Sequence, residues 1–111
     1  MTVVPFPRSP DVEGTLCRAI QERRVIAFVL QGFPRRAEPH DLGIVRGVKK
    51  LFFYQTGGRS RSGRPLGWRW AELPQIRDLQ LLDERFDGPR DTHSARHVAW
   101  ERLIASVSRP V

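Results

Sequence analysis

Between Val25 and Phe86 the chain passes through five short apolar stretches, and a turn signal separates each from the next. "VIAFVLQG" (25–32) carries six apolar residues, rich in β-branched types and closed by Gly32, which is the pattern of a strand buried on both faces. "RRAEPHDLGIVR" (35–46) reads as a second strand, irregular near Pro39 and Gly43, where the proline demands an edge or a bulge. "KKLFFYQT" (49–56) is a third with a strongly apolar middle. "GWRWAELP" (67–74) is a fourth, and "QIRDLQLLDERF" (75–86) a fifth, with Ile76, Leu79 and Leu81 directed inward. Five strands this short, this close together and flanked by helical patterns point to a small barrel rather than a parallel sheet.

The flanks are read by their spacing. Residues 1–10 hold three prolines and form an irregular lead-in. Asp11 is a helix cap with Glu13 in the first turn, and Leu16, Cys17 and Ile20 form an apolar stripe, so the first helix covers 11–23. At the other end Val98, Trp100, Leu103, Ile104 and Val107 predict an amphipathic helix over 92–108, with Thr92 or Ser94 as its cap. The expected class is therefore α+β, mainly β, one domain over residues 1–111 with the barrel at 25–86. At 111 residues one modest core is affordable. The single cysteine, Cys17, excludes an internal disulfide and fits a reducing compartment. No signal-peptide pattern and no run of about 20 apolar residues is present, so the expectation is a cytoplasmic protein with no membrane partner.

The charge is concentrated. Of the net +7, all falls between Arg35 and Arg69, where nine basic residues face two acids; the rest of the chain carries ten of each. Seventeen of the nineteen basic residues are arginine, whose planar fork of donors suits phosphate and carboxylate. The centre of this field is "YQTGGRSRSGRPLGWRW" (54–70), with Arg59, Arg61, Arg64 and Arg69, four glycines, two tryptophans and no acid. Its glycines let backbone N–H groups approach an anion, and its arginines add charge. It is not a nucleotide-hydrolase phosphate loop, because it lacks the closing Gly-Lys-Ser/Thr and joins two strands. The alternative is a hairpin of solvated charge. Alternation places Phe52 and Tyr54 on one face with Phe53 on the other, and Trp68 and Trp70 together opposite Arg69. Tyr54, beside the basic loop, is the ring expected to stack on a ligand. His40, in "EPHD", and Lys50 are placed nearby. His93 and His97 have a metal-compatible spacing but no third ligand, and His40 has no nucleophile to serve, so neither a metal nor catalysis is expected.

The order of these pieces resembles the WYL domain, a bacterial family named for a Trp-Tyr-Leu tripeptide. "RRVIAF" after the first helix, "EPH" in the second strand and "IRDLQLLDERF" in the fifth carry the likeness, which spans roughly residues 14–88. Lys49, Lys50 and Leu51 stand where the tripeptide would be. In "RWAELPQI" (69–76), Arg69, Leu73 and Ile76 match the family's next signature, and two of its three arginines are replaced. The resemblance implies an Sm-like, five-stranded small β-barrel behind an N-terminal helix. It also implies a regulatory domain that senses a ligand, in some members a nucleotide or nucleic acid, commonly beside a helix-turn-helix module for which this chain has no room.

The sequence thus leads to a non-enzymatic sensor of an anionic ligand, nucleotide or single-stranded nucleic acid, bound by Tyr54, Arg59, Arg61, Arg64, Arg69, His40 and Lys50 without a cofactor. The rival readings are a protein–protein adaptor or homodimer joined through Trp100 and Leu103, and, last, a phosphoester-acting enzyme with His40 as base.

Overall fold

The computed structural model describes residues 11–58, 66–90 and 100–107. Within them lie one helix, α1 (Val12–Glu22), and six strands: β1 (Arg24–Leu30), β2 (Phe33–Val45), β3 (Val48–Gly58), β4 (Gly67–Glu72), β5 (Arg77–Arg85) and β6 (Arg102–Ser106). A single 3-10 turn, Leu73–Gln75, joins β4 to β5. The protein is α+β, mainly β.

α1 forms where the spacing predicts it. The Asp11 carboxylate accepts from the Gly14 N–H at 2.8 Å, satisfying a donor that the first turn leaves open. The helix stops at Arg23, which turns left-handed (φ 54°) and donates its own N–H back to Ala19 and Ile20. Leu16, Ala19 and Ile20 are buried against the sheet, and Cys17 packs at the edge of that core.

The sheet is antiparallel, in the order β4-β3-β2-β1-β5, with β6 added to β2. Two-residue turns make both central hairpins. Gln31-Gly32 and Arg46-Gly47 each place two successive residues at positive φ, the geometry whose twist matches the flanking strands. β2 is long and irregular, with register shifts at Arg36/Ala37 and at Pro39/Asp41, so the bulge that Pro39 demands is present. β3 lines one edge of β2 from Arg35 to Val45. The other edge is shared: β1 covers Phe33 to Ala37, and β6 covers Asp41 to Ile44.

β4 and β5 are the two ends of this strip, yet only five residue steps separate Glu72 from Arg77. Four inter-strand spacings laid flat would hold them about 19 Å apart. A link of five steps spans at most about 17 Å extended, and much less when three of its residues form a 3-10 turn. The sheet is therefore strongly curled. It is not closed, because β4 and β5 do not pair with each other. Inside the curl lie Ile26, Leu42, Leu51 and Leu79, with Phe28 edge-on to Phe53 at 5.2 Å. Ile76 and Leu79 are buried and Leu81 half-buried, as the fifth strand's pattern predicts.

The expected C-terminal helix over 92–108 is corrected at its described end: residues 102–106 are strand β6, and 91–99 lie outside the described residues. The cause is the unfilled half-edge of β2. Beyond Ala37 its buried residues have no neighbour from β1, and buried backbone donors and acceptors must be paired. That demand outweighs a helical spacing carried by a short apolar run, which periodicity alone does not separate from a strand. Among the described residues no helix is long and apolar enough to cross a membrane.

Candidate anion site

β3 and β4 sort their side chains onto two faces. Phe53 lies opposite Arg69, Tyr54 opposite Trp68 and Phe52 opposite Trp70, as alternation requires. Phe53, Gln55 and Arg69 share the inner face, while Lys50, Phe52, Tyr54, Trp68 and Trp70 share the outer one.

The outer face is an aromatic strip. Phe52 stacks on Trp68 with 4.7 Å between centroids and 3° between planes, and also touches Trp70 at 4.4 Å. Trp100, at the start of the β6 segment, continues the strip to Trp70 at 5.5 Å. At the other end Trp68 stands edge-on to Tyr54 (5.3 Å) and to His40 (4.8 Å), and His40 stacks on Phe86 (5.5 Å). His40 is fully buried, with Nδ1 2.9 Å from the Glu38 carbonyl oxygen. The Tyr54 ring is not open to a ligand on the side that Arg90 covers. The Arg90 guanidinium lies 3.8 Å above its centroid and donates from Nε and Nη2 to the two Glu38 carboxylate oxygens, at 2.8 and 3.0 Å. Glu38 is only 9 % exposed, and its bonds hold Arg90 still more firmly in the charged form.

The inner face carries a different arrangement at the end where β3 leaves the sheet. Arg35 lies opposite Phe28 on β1 and Gly58 on β3. It is 5 % exposed. Its Nη1 donates to Gln55 Oε1 at 3.2 Å, and its Nη2 to the Leu30 carbonyl at 3.3 Å and to Gln31 Oε1 at 3.5 Å. All three acceptors are neutral, Nε has no acceptor among the described residues, and Arg35 makes no ion pair there. Burial, and after it repulsion from Arg69, pushes the Arg35 pKa below its ordinary value. Arginine stays charged even so. Among the described residues Arg35 is thus a buried cation without a counter-charge, and half-buried Arg69 acts on it. Removing an ion from water costs several kcal/mol unless an opposite charge compensates.

Gly58 shapes this end of the molecule. Its φ is +89°, and a Cβ there would fall 2.7 Å from the Arg35 Cα and closer still to the Pro34 carbonyl oxygen. Only glycine lets β3 close onto β2 beside the buried guanidinium. Gly58 and Gly67 then bracket the basic loop, and Gly67 pairs with Gln55, so both ends of the loop start beside the Arg35–Gln55 pair.

The predicted site residues do not all meet. Arg69 belongs to the inner cluster, whereas Tyr54, Lys50 and buried His40 lie on or under the outer face. Arg59, Arg61 and Arg64 lie outside the described residues, as do His93 and His97. No family model, curated protein or solved structure matches this chain. Sequence reasoning missed Arg35, Gln55 and the Glu38–Arg90 clamp. Arg35 falls in the basic stretch among eight others, and only its pairing with Phe28 marks it as inward. Arg90 lies 36 positions from the ring it covers, and no local signal joins them.

Proposed function

We propose that this chain is a non-enzymatic regulatory domain of the WYL-like kind. Its curled sheet acts as an Sm-like small barrel, and it binds an anionic ligand, a nucleotide or single-stranded nucleic acid, at the Arg35–Arg69 end. The observation that carries this is Arg35: a guanidinium 5 % exposed, bonded among the described residues only to neutral groups, with a second arginine in its field. A purely structural buried arginine would be expected to have a carboxylate beside it. An incoming anion supplies the counter-charge that the described residues do not place beside Arg35. The element order supports the barrel reading: a helix, then five strands that line up as β4-β3-β2-β1-β5 in one curled, open sheet, with β6 added to β2. A lone, half-buried cysteine suits the cytoplasm.

The test is fluorescence-anisotropy titration of labelled single-stranded DNA, RNA and an adenosine nucleotide, at low and moderate salt. Binding is expected to weaken steeply with salt for the nucleic acids, as counterion release requires, and to be lost in Arg69→Gln. Absence of binding to all three at low salt refutes the proposal. The adaptor reading draws on Leu103 and Trp70, which are 50 % and 39 % exposed. A concentration-independent monomer in light scattering would remove its homodimer form.

A further inference from the structure

The start of β3 and the end of β4 lie at the opposite end of their hairpin from Gly58 and Arg35. A cleft opens there between the first turn of α1, the β2–β3 turn and the 3-10 turn after β4. We propose that this cleft binds an organic cation, an apolar ring system carrying one ammonium group, with Glu72 as the counter-charge. The inference goes beyond the anion reading and does not depend on it.

Two observations carry the step. The first is space. The cleft holds about 640 Å³, within the range of about 300–1,000 Å³ that small-molecule sites occupy. Val12, Val48, Leu73 and Pro74 give it apolar walls, and Lys49 and Glu72 are the charged groups of its lining. Its walls come from α1, β3 and the 3-10 turn, so it stands ready-made before a ligand arrives. The second is charge. Lys49 is already answered, because its Nζ lies 2.5 Å from the Glu13 carboxylate. The first turn of α1 would otherwise favour an anion, but the Asp11 carboxylate already caps it. Glu72 is not answered. It is half-buried and forms no ion pair among the described residues, not even with Lys50, its register partner on β3. It stands directly ahead of the 3-10 turn, yet its side chain makes no capping bond to that turn. A carboxylate partly withdrawn from water gains most from a partner that brings both a positive charge and donors. An anion would meet repulsion from Glu72, and a neutral ligand would cover the carboxylate without compensating it. Apolar walls with one uncommitted acceptor at the edge therefore fit an apolar body with a single cationic end.

The experiment titrates the full chain with three probes that share one ring and one linker: tryptamine (cationic), tryptophol (neutral) and indole-3-propionate (anionic). Methyl NMR shifts of Val12, Val48 and Leu73 report binding in the cleft. Tryptamine is expected to move these methyls at about millimolar concentration, the range for a ligand of its size, and to bind about tenfold more tightly than indole-3-propionate. The chain's net charge of +7 favours the anion, so a preference for the cation has to come from a local carboxylate. In Glu72→Gln the advantage of tryptamine over tryptophol is expected to fall within about twofold, while tryptophol binds as before. The three-probe comparison needs only the wild-type chain, so it decides the matter even where the variant folds poorly. Unmoved methyls with all three probes, or indole-3-propionate binding as tightly as tryptamine, overturn the proposal. So does an undiminished tryptamine preference in folded Glu72→Gln. Nuclear Overhauser contacts from Phe6 to the Val12 or Leu73 methyls in the free protein would give the cleft to the chain's own first ten residues, and would overturn it too.

Discussion

Replacing Gly43 with alanine tests the placement of β6 directly. Gly43 lies in the second half of β2, between Lys50 of β3 and Leu103 of β6, and the Trp100 ring lies across it. A Cβ at this position would stand 2.6 Å from the Arg102 carbonyl oxygen and 2.7 Å from Trp100 Cζ3, with Cε3 nearer still. The ring has some room to swing, but the carbonyl belongs to the β6 backbone, so clearing it means moving the strand. Overpacking of this sort costs about 1–3 kcal/mol. Displacing β6 also loosens Val107, which is buried, and half-buried Ile104 and Ala105. The expected loss is thus about 2–3 kcal/mol, or about 10 °C in Tm for a chain of this size. Urea denaturation measures the total, and amide exchange locates it. The Glu101 and Val107 N–H groups donate to the Ile44 and His40 carbonyls, both at 2.8 Å, and their protection should fall before that of β1 or β3. Gly57→Ala is the control. Its nearest neighbour would be the Arg36 Cβ at 3.8 Å, an ordinary contact, so the change should stay within about 0.5 kcal/mol. If the two variants were equally stable, or the Glu101 and Val107 amides kept full protection in Gly43→Ala, β6 would not lie where the structure puts it.

Arg90→Met leaves the nearly buried Glu38 carboxylate without its fork and should cost about 2 kcal/mol by urea denaturation, part of which Glu38→Gln in the same chain restores. Hydrogen bonds from Arg18 and then Arg24 hold the Glu22 pKa below its ordinary 4.5, so its contribution is present above that value and lost as pH falls through the lower folded one. Glu22→Gln should flatten that acid limb of the stability curve, an effect that shrinks in about 0.5 M NaCl because the pair is exposed. Burial, then Glu13 and Asp11, pushes the Cys17 thiol above its ordinary 9.0; iodoacetamide should modify it more slowly at neutral pH than it modifies glutathione.

Much of the architecture is legible because the signals are local. Asp11 and the Leu16–Ile20 spacing place α1 to within a residue at each end. Glycine-bearing turns place the hairpins, and the alternation of Phe52, Phe53 and Tyr54 sorts the faces correctly. What escapes the sequence depends on partners far along the chain. The segment 102–106 becomes a strand because half of one β2 edge is left unfilled, which its own residues do not announce. Tyr54 looks available for stacking until Arg90 is laid over it. Arg35 looks like one more surface charge until β1 and β3 enclose it, and His40 looks like an accessible ring near the loop until Trp68 and Phe86 close around it.

The shared edge of β2 also sets an order of events during synthesis. β1 is made before β2 and β3 directly after it, so those two pairings are available early. The strand that completes the edge is made roughly 60 residues after Ile44, a delay of about 3–12 s at ordinary elongation rates. For that interval the nascent chain presents an uncovered half-edge flanking Leu42, which is the kind of template that recruits strands from other chains. Pro39, which has no N–H to offer, and the bulge beside it blunt that template at its inner end. A stop codon placed between Arg90 and Trp100 would make the transient state permanent, and aggregation of the truncated chain on the ribosome-free side of synthesis is its expected fate.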